Sequence, residues 1–227
     1  MDESLTHNPG RTVADGSGES DSRSPDRARV LDATCLVGLA LVVRIPAYLA
    51  DRGLTFDDGV FANSVIAMRH GGVPFADVFS SQGPLFLPLV YVFDLLGGRT
   101  LDSPRALAVV SGLAATALTY LVAIRVSDRL GAIVAGGLVA TSGALAWVTG
   151  PLAADGPALA FAVGAVLLSL RMRDNPTSLN AIWLGLATGA VLSTKSLEAP
   201  VLIVVGLVLV APVASAARRR VVFFRRG

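Results

Sequence analysis

Apolar runs that are long enough to cross a lipid bilayer recur from residue 31 almost to the C-terminus, and they constrain the fold more than any other feature. A membrane-spanning helix needs about 17–25 such residues. Hydrophobic residues make up 53% of the 227 residues and charged residues only 16%, which leaves no room for a sizeable soluble domain. The sequence therefore predicts an all-α, polytopic membrane protein in which loops and helix ends carry any chemistry.

Three regions are predicted along the chain. Residues 1–29 are rich in Ser, Gly, Asp and Arg and lack aromatic residues, which is typical of a disordered tail. A transmembrane domain follows over 30–216, with a first outer loop at 51–103 that contains interfacial helices. The basic cytoplasmic end covers 217–227, where we expect the chain to be truncated. Six spans are predicted, at 30–49 and near 104–124, 130–149, 157–171, 178–194 and 197–215.

The orientation depends on the apolar segment at 84–98. Arg27 and Arg29 precede the first span and place the N-terminus in the cytoplasm. The segment at 84–98 is short and is interrupted by two prolines and Asp94, so we expect it to lie in the membrane surface. Most basic residues near spans then fall on the cytoplasmic side, whereas most would fall outside if it crossed. The sequence thus predicts a multi-pass protein of a bacterial cytoplasmic membrane. Four polar residues share its outer face, namely Asp57, Asp58, Asp155 and Lys195.

Composition also limits the classes of partner. The net charge is +2 and the pI is near 9.1, but the arginines cluster beside apolar runs, as they do at the flanks of membrane spans. We therefore expect no nucleic-acid partner and expect a lipid bilayer instead. Cys35 is the only cysteine, so the sequence offers neither a disulfide framework nor a cysteine metal site.

Adjacent carboxylates follow the first span in the sequence TFDDGVFANSVIAMRHGG. In a functional interpretation, Asp57 or Asp58 is a general base that takes a proton from an acceptor hydroxyl, while the other orients the acceptor or holds a metal. In a structural interpretation, one caps a helix and the other is a solvated turn residue beside Gly59. Asp155, in GPLAADGPALAF, either joins this acidic pair or caps the helix that Pro157 begins.

Three further residues are candidates for contacts with a lipid phosphate or a sugar. Lys195 is the only lysine and interrupts apolar sequence, with Glu198 three residues later, so it either holds a phosphate or forms an ordinary ion pair. Arg44, at the outer end of the first span, either binds phosphate or extends to the membrane surface. Gln82 begins the segment SSQGPLFLPL, where it either contacts a sugar or only belongs to a turn.

The order of these elements resembles the GT-C superfamily of membrane glycosyltransferases, which includes protein O-mannosyltransferases, aminoarabinose transferases of lipid A and Rgt-type sugar transferases. The resemblance covers about residues 36–212 and corresponds to the N-terminal half of such enzymes. Its elements, in order, are Arg44-Ile45-Pro46, Asp57-Asp58-Gly59, Gln82-Gly83-Pro84-Leu85, Asp155-Gly156-Pro157 and Thr194-Lys195. Many family members carry Lys where this chain has Gln82.

The resemblance implies an inverting glycosyltransferase that moves a sugar from a polyprenyl-phosphate donor to a hydroxyl of a protein, lipid or glycan at the outer face. It also implies catalytic roles for Asp57, Asp58 and Asp155, and phosphate or substrate contacts for Gln82, Lys195 and Arg44. A divalent metal is compatible with the pattern but not required by it, and Asp57 and Asp155 would be its ligands. The alternative function is a membrane transporter or a non-catalytic membrane scaffold, for which the spans and a basic tail suffice.

Overall fold

The computed structural model describes residues 24–50, 55–100 and 102–211, and this part of the chain is all-α, as predicted. It has no strand, and its one isolated bridge joins Pro74 and Val78. The predicted tail up to residue 23 and the basic end at 217–227 lie outside the described residues. The helices in chain order are α1 Ser24–Ala50, α2 Phe56–Arg69, α3 Phe86–Leu96, α4 Ala106–Val126, α5 Arg129–Thr141, α6 Gly143–Val148, α7 Asp155–Asp174 and α8 Ser178–Thr194. A 3-10 turn at Ser196–Glu198 and α9 at 201–211 follow.

Two of these helices, α4 and α7, are long and apolar enough to cross a membrane. With 21 and 20 residues, each is about 30 Å long, which matches the hydrocarbon core of a bilayer. α3 has 11 residues and is therefore only about 16 Å long, because each residue adds about 1.5 Å. Such a helix is too short to cross.

α4 lies at the centre of the helical bundle and packs against α1, α5 and α7. Small residues on its buried face, such as Ala108, Gly112 and Ala115, allow this close approach. One apolar cluster holds α1, α4 and α5 together around the fully buried Tyr120. A second joins α7, α8 and α9, and a third fills the space beneath α2 and α3 around Phe61 and Phe86.

Two boundaries differ from the predicted ones. α1 begins at Ser24, so the last residues of the predicted disordered tail are helical, and Pro25 falls in the first turn, where proline is tolerated. The single span predicted at 130–149 is divided into α5 and α6. Ser142 has an extended backbone, with ψ of 115°, and its hydroxyl accepts a hydrogen bond from Leu145 N. This side-chain cap starts a new helix and ends the first one.

Candidate functional site

The helices alternate in direction, so that most of the predicted site residues meet at one end of the bundle. This end, called here the loop end, comprises residues 55–105, 149–155 and 193–198. The opposite end, called the turn end, comprises residues 125–129 and 174–178, where α4 connects to α5 and α7 connects to α8. Direct contacts link Asp58 to the 149–155 segment, Asp155 to Lys195, and the segment at 82–85 to the end of α8.

Asp58 is buried and both of its carboxylate oxygens are in use. At the start of α2 it forms a capping box with Thr55: its backbone N–H donates to Thr55 Oγ1, and its Oδ2 accepts from Thr55 N at 3.0 Å and from Thr55 Oγ1 at 2.8 Å. Its Oδ1 accepts from Leu152 N at 2.7 Å and lies 3.8 Å from Arg105 Nε. The carboxylate therefore fixes three segments of the loop end to one another, which matches the capping interpretation.

Asp57, next to it, is in a different environment. Its side chain is exposed and lines a cavity of about 520 Å3 between the start of α2 and the α6 region. Within the described residues, no hydrogen bond or ion pair involves its carboxylate. Of the two adjacent acids, Asp57 is therefore the one whose oxygens remain accessible to a bound molecule.

The cavity beside Asp57 has aromatic and cationic walls as well. Phe56 and Trp147 line it, and their side chains are 85% and 80% exposed. Arg105, which is buried, also lines the cavity, and its guanidinium carbon lies 5.7 Å from the ring centre of Tyr48. The cavity thus combines a carboxylate, a guanidinium and two aromatic surfaces, which can contact both polar and apolar parts of a ligand.

Asp155 and Lys195 form an ion pair at the same end. Asp155 is the first residue of α7, and its Oδ1 accepts a hydrogen bond from Lys195 Nζ at 2.5 Å. Lys195 ends α8, and its side chain is 18% exposed, whereas that of Asp155 is 38% exposed. The structure thus brings these two predicted residues together, and it places them beside the segment that contains Gln82.

The segment containing Gln82 docks on the C-terminal end of α8. Gly83 N donates to Thr194 O at 3.1 Å, and Leu85 N donates to Ser193 O at 2.8 Å. A Cβ added at Gly83 would lie 2.2 Å from Ser193 O, so only glycine permits this approach. Gln82 is half-buried, and its backbone bonds with Ser80 Oγ. The Gly-Pro turn thus places Gln82 close to the residue that precedes Lys195.

Arg44 lies away from this surface, inside the helical bundle. Its guanidinium is buried and donates to the carbonyl oxygens of Ala40, Ala140 and Val139 and to Thr149 Oγ1. These contacts join α1 to the end of α5 and to the loop after α6. The predicted contact of Arg44 with a lipid phosphate stays a prediction, and the structure assigns its N–H groups to backbone carbonyls.

Sequence reasoning missed two arginines of the loop end. Arg69 donates from Nε and Nη2 to both oxygens of the buried Asp94, and this hydrogen-bonded carboxylate raises the pKa of the guanidinium above its usual value. Arg105 contacts Asp58 and lines the cavity. Arg69 and Arg105 looked like ordinary flanks of apolar runs. The signal was Asp94, a lone acid in apolar sequence, because a buried carboxylate requires a charged or hydrogen-bonding partner.

The described residues do not fit a resident divalent metal. Among them, no group of three His, Cys, Asp or Glu side chains is close enough to hold an ion. Of the two predicted ligands, Asp155 pairs with Lys195 and Asp57 lines the cavity. No catalytic step is therefore assigned to a metal.

Comparison with known proteins adds no further constraint on the site. No protein-family model matches the chain. No curated protein and no solved structure matches it either. The geometry of the loop end therefore has to carry the functional argument.

Proposed function

We propose that this chain is a multi-pass membrane glycosyltransferase that moves a sugar from a polyprenyl-phosphate donor to a hydroxyl acceptor at the outer face of the cytoplasmic membrane. The observation that carries the proposal is the pair of adjacent acids. The Asp58 carboxylate accepts hydrogen bonds from the protein itself, whereas Asp57 lines a cavity of about 520 Å3. The order of sequence elements that resembles the GT-C superfamily supports it.

The proposed topology has six crossings, with α2 and α3 lying on the outer surface. α4 and α7 have the length and composition of spans. α1 runs from the turn end to the loop end, since Asp32 contacts Arg129 while Arg44 contacts Thr149. In this proposal the remaining crossings are α5 together with α6, α8, and the longer apolar segment at 196–211 that contains α9. This arrangement places the loop end outside and the turn end in the cytoplasm, in agreement with the basic residues at Arg125, Arg129, Arg171 and Arg173.

Asp57 is proposed as the general base. An acceptor hydroxyl in the cavity donates a hydrogen bond to its carboxylate, and the hydroxyl oxygen attacks the anomeric carbon of the donor sugar. The proton passes to Asp57 as the new bond forms. The bond from the anomeric carbon to the phosphate oxygen breaks, and the lipid phosphate leaves with the electron pair. A single displacement of this kind inverts the anomeric centre.

The other loop-end residues have supporting roles in this proposal. Asp58 fixes the start of α2 and so holds Asp57 at the cavity, which makes it a positioning residue. Lys195 and Gln82 are proposed to meet the donor phosphate, because both lie where the Gly83 turn docks on α8. Asp155 holds the Lys195 ammonium in place through their ion pair.

The replacement Asp57→Asn tests the proposal. We expect the rate of sugar transfer from a polyprenyl-phosphate sugar to fall about 10²–10⁴-fold, the range that a general base supplies, because the amide cannot accept the proton. Asp77→Asn is the matched control, since Asp77 is an exposed acid in the connection between α2 and α3 whose carboxylate accepts from Val73 N. Thermal unfolding in detergent should be unchanged for both variants. Equal transfer rates for Asp57→Asn and the unaltered chain would refute the assignment.

A further inference from the structure

The cavity beside Asp57 is suited to a flat ligand that has both apolar and polar faces. Phe56 and Trp147 are among the most exposed large side chains described, and they line the same cavity. Gly143, Ala146 and Gly150 form part of the remaining wall and are small residues. Because an aromatic face carries partial negative charge, it attracts the partially positive C–H groups of a ring that lies on it.

The polar groups of the cavity are complementary to hydroxyl groups. A carboxylate accepts hydrogen bonds and a guanidinium donates them. Asp57 and Arg105 provide one of each on the lining of the same cavity. Neighbouring hydroxyls of a sugar both donate and accept, so a sugar ring can use both groups while its C–H face lies on an aromatic ring.

Charge argues against an anionic occupant. Arg105 Nη1 lies 3.6 Å from Asp102 Oδ1, and Arg105 Nε lies 3.8 Å from Asp58 Oδ1. One guanidinium thus lies close to two carboxylates, and a third carboxylate, that of Asp57, belongs to a residue that lines the same cavity. A phosphate placed there would be repelled by those acids. A neutral ring meets no such repulsion.

We propose that this cavity is a sugar-binding subsite in which a neutral sugar ring stacks on Trp147 or Phe56 and hydrogen-bonds with Asp57 and Arg105. The inference deepens the proposed glycosyl transfer and rests on it for its catalytic meaning. The donor phosphate then lies outside the cavity, on the side of Lys195. Binding of a sugar, however, is measurable without any transfer.

Intrinsic fluorescence provides a direct test, because the chain has two tryptophans. Trp183 lies on α8 and does not line the cavity, so Trp183→Phe leaves Trp147 as the only tryptophan. This variant is titrated in detergent with methyl glycosides of glucose, mannose, galactose and arabinose. We expect saturable quenching by at least one of them, with half-saturation on the order of 1 mM, which is a weak affinity. Adding Asp57→Ala should weaken it at least about fivefold.

Two control ligands are titrated in the same way to test other kinds of occupant. Inorganic phosphate tests for an anion subsite, and tetramethylammonium tests for an ammonium cage, which aromatic rings and a carboxylate also suit. Neither should quench Trp147. A response to phosphate or tetramethylammonium without a response to any glycoside would overturn the inference, and so would the absence of any response.

A kinetic comparison separates this inference from the proposed transfer reaction. Trp147→Ala should raise the KM for donor or acceptor at least about tenfold, whereas Trp147→Phe should keep most of the affinity because it keeps an aromatic face. Trp183→Ala is the matched control and should change neither KM nor kcat. If Asp57→Asn abolishes transfer while Trp147→Ala leaves both KM values unchanged, the sugar subsite is wrong and the transferase stands. If glycosides quench Trp147 in a chain without transfer, the transferase is wrong and the sugar subsite stands.

Discussion

The two ends of the bundle use charged residues in opposite ways. At the turn end, Arg125 pairs with Asp174 at 3.0 Å, and both side chains are about one third to one half exposed. At the loop end, Asp58, Asp94 and Arg105 are almost fully buried. Burial of a charge is costly unless partners replace the lost water. The loop end meets that cost with a capping box, a backbone donor and guanidinium groups.

Polar residues also have different structural roles at the two ends. Asp128 and Thr177 at the turn end cap α5 and α8, and Arg129 there also pairs with the distant Asp32 at 2.7 Å. The loop end joins segments that are far apart in sequence: Asp58 to Leu152 and Asp155 to Lys195. Such long-range polar contacts position side chains around a cavity.

The largest expected effect concerns location: we predict that the loop end and the turn end lie on opposite sides of a membrane. In a Cys35→Ser background, single cysteines at Ala76, Ser196 and Pro176 report on exposed positions of both ends. We expect an impermeant maleimide to label Ala76→Cys and Ser196→Cys in intact cells, and to leave Pro176→Cys unlabelled until the membrane is opened. The reason is that the α4 and α7 helices separate the ends by about 30 Å.

The same labelling also tests the surface location of α3. If α3 and its flanks crossed the membrane, Ala76 and Ser196 would lie on opposite sides and only one of the two would label in intact cells. Ser178→Cys provides a second turn-end position. Labelling of Pro176→Cys from outside, with protection of Ser196→Cys, would invert the proposed topology and place the cavity in the cytoplasm.

The stability of the two ends should differ as their burial differs. Asp58→Ala removes a buried carboxylate from Thr55, Leu152 and Arg105, and we expect the free energy of unfolding to fall by about 3–5 kcal/mol, as for a broken buried ion pair. Asp174→Ala removes a carboxylate from an exposed pair and should cost about 1 kcal/mol or less. Chemical unfolding in detergent, followed by far-UV circular dichroism, measures both. Equal losses would show that burial at the loop end carries no extra stability.

The all-α fold was predictable from the sequence because apolar helices leave a plain signal, whereas the six crossings stay a prediction, since α4 and α7 are the two described helices with the length and composition of spans. Runs of apolar residues gave α4, α7 and α8 nearly at their observed bounds. The short interrupted run at 84–98 gave a helix too short to cross. The break between α5 and α6 was not predicted, since it depends on the Ser142 hydroxyl accepting a hydrogen bond from Leu145 N while the apolar composition continues through it.

The candidate site was predictable in its residues but not in their roles. Asp57 and Asp58 are adjacent, and the spacing of Thr55 and Asp58 is that of a capping box. The contact that occupies the other oxygen of Asp58 could not be predicted from spacing, because its donor, Leu152 N, lies far along the chain. Arg105 was hidden for a similar reason. An arginine before an apolar run is typical of a membrane flank, and its burial depends on the folding of α2 against the 149–155 segment.

A smaller effect on stability is expected from alanine substitutions of two glycines, Gly83 at the turn and Gly189 on α8. Gly83→Ala would place a Cβ 2.2 Å from Ser193 O, against backbone that cannot rotate away. We expect overpacking to cost about 1–3 kcal/mol and to displace the Gly83 turn from α8. In Gly189→Ala, on α8, the added Cβ meets nothing within 4 Å. The gain in helix propensity should therefore stabilise the protein by about 0.5–1 kcal/mol.

The pair of glycine variants also separates docking from mere stability. If contact with α8 places Gln82 beside Lys195, Gly83→Ala should lower the transfer rate even at temperatures where the chain remains fully folded, and Gly189→Ala should leave that rate unchanged. A fall in the unfolding temperature of Gly83→Ala without any change in transfer would show that the turn only supports α3. Gln82 and Lys195 would then have no shared role, and the donor phosphate would have to bind elsewhere at the loop end.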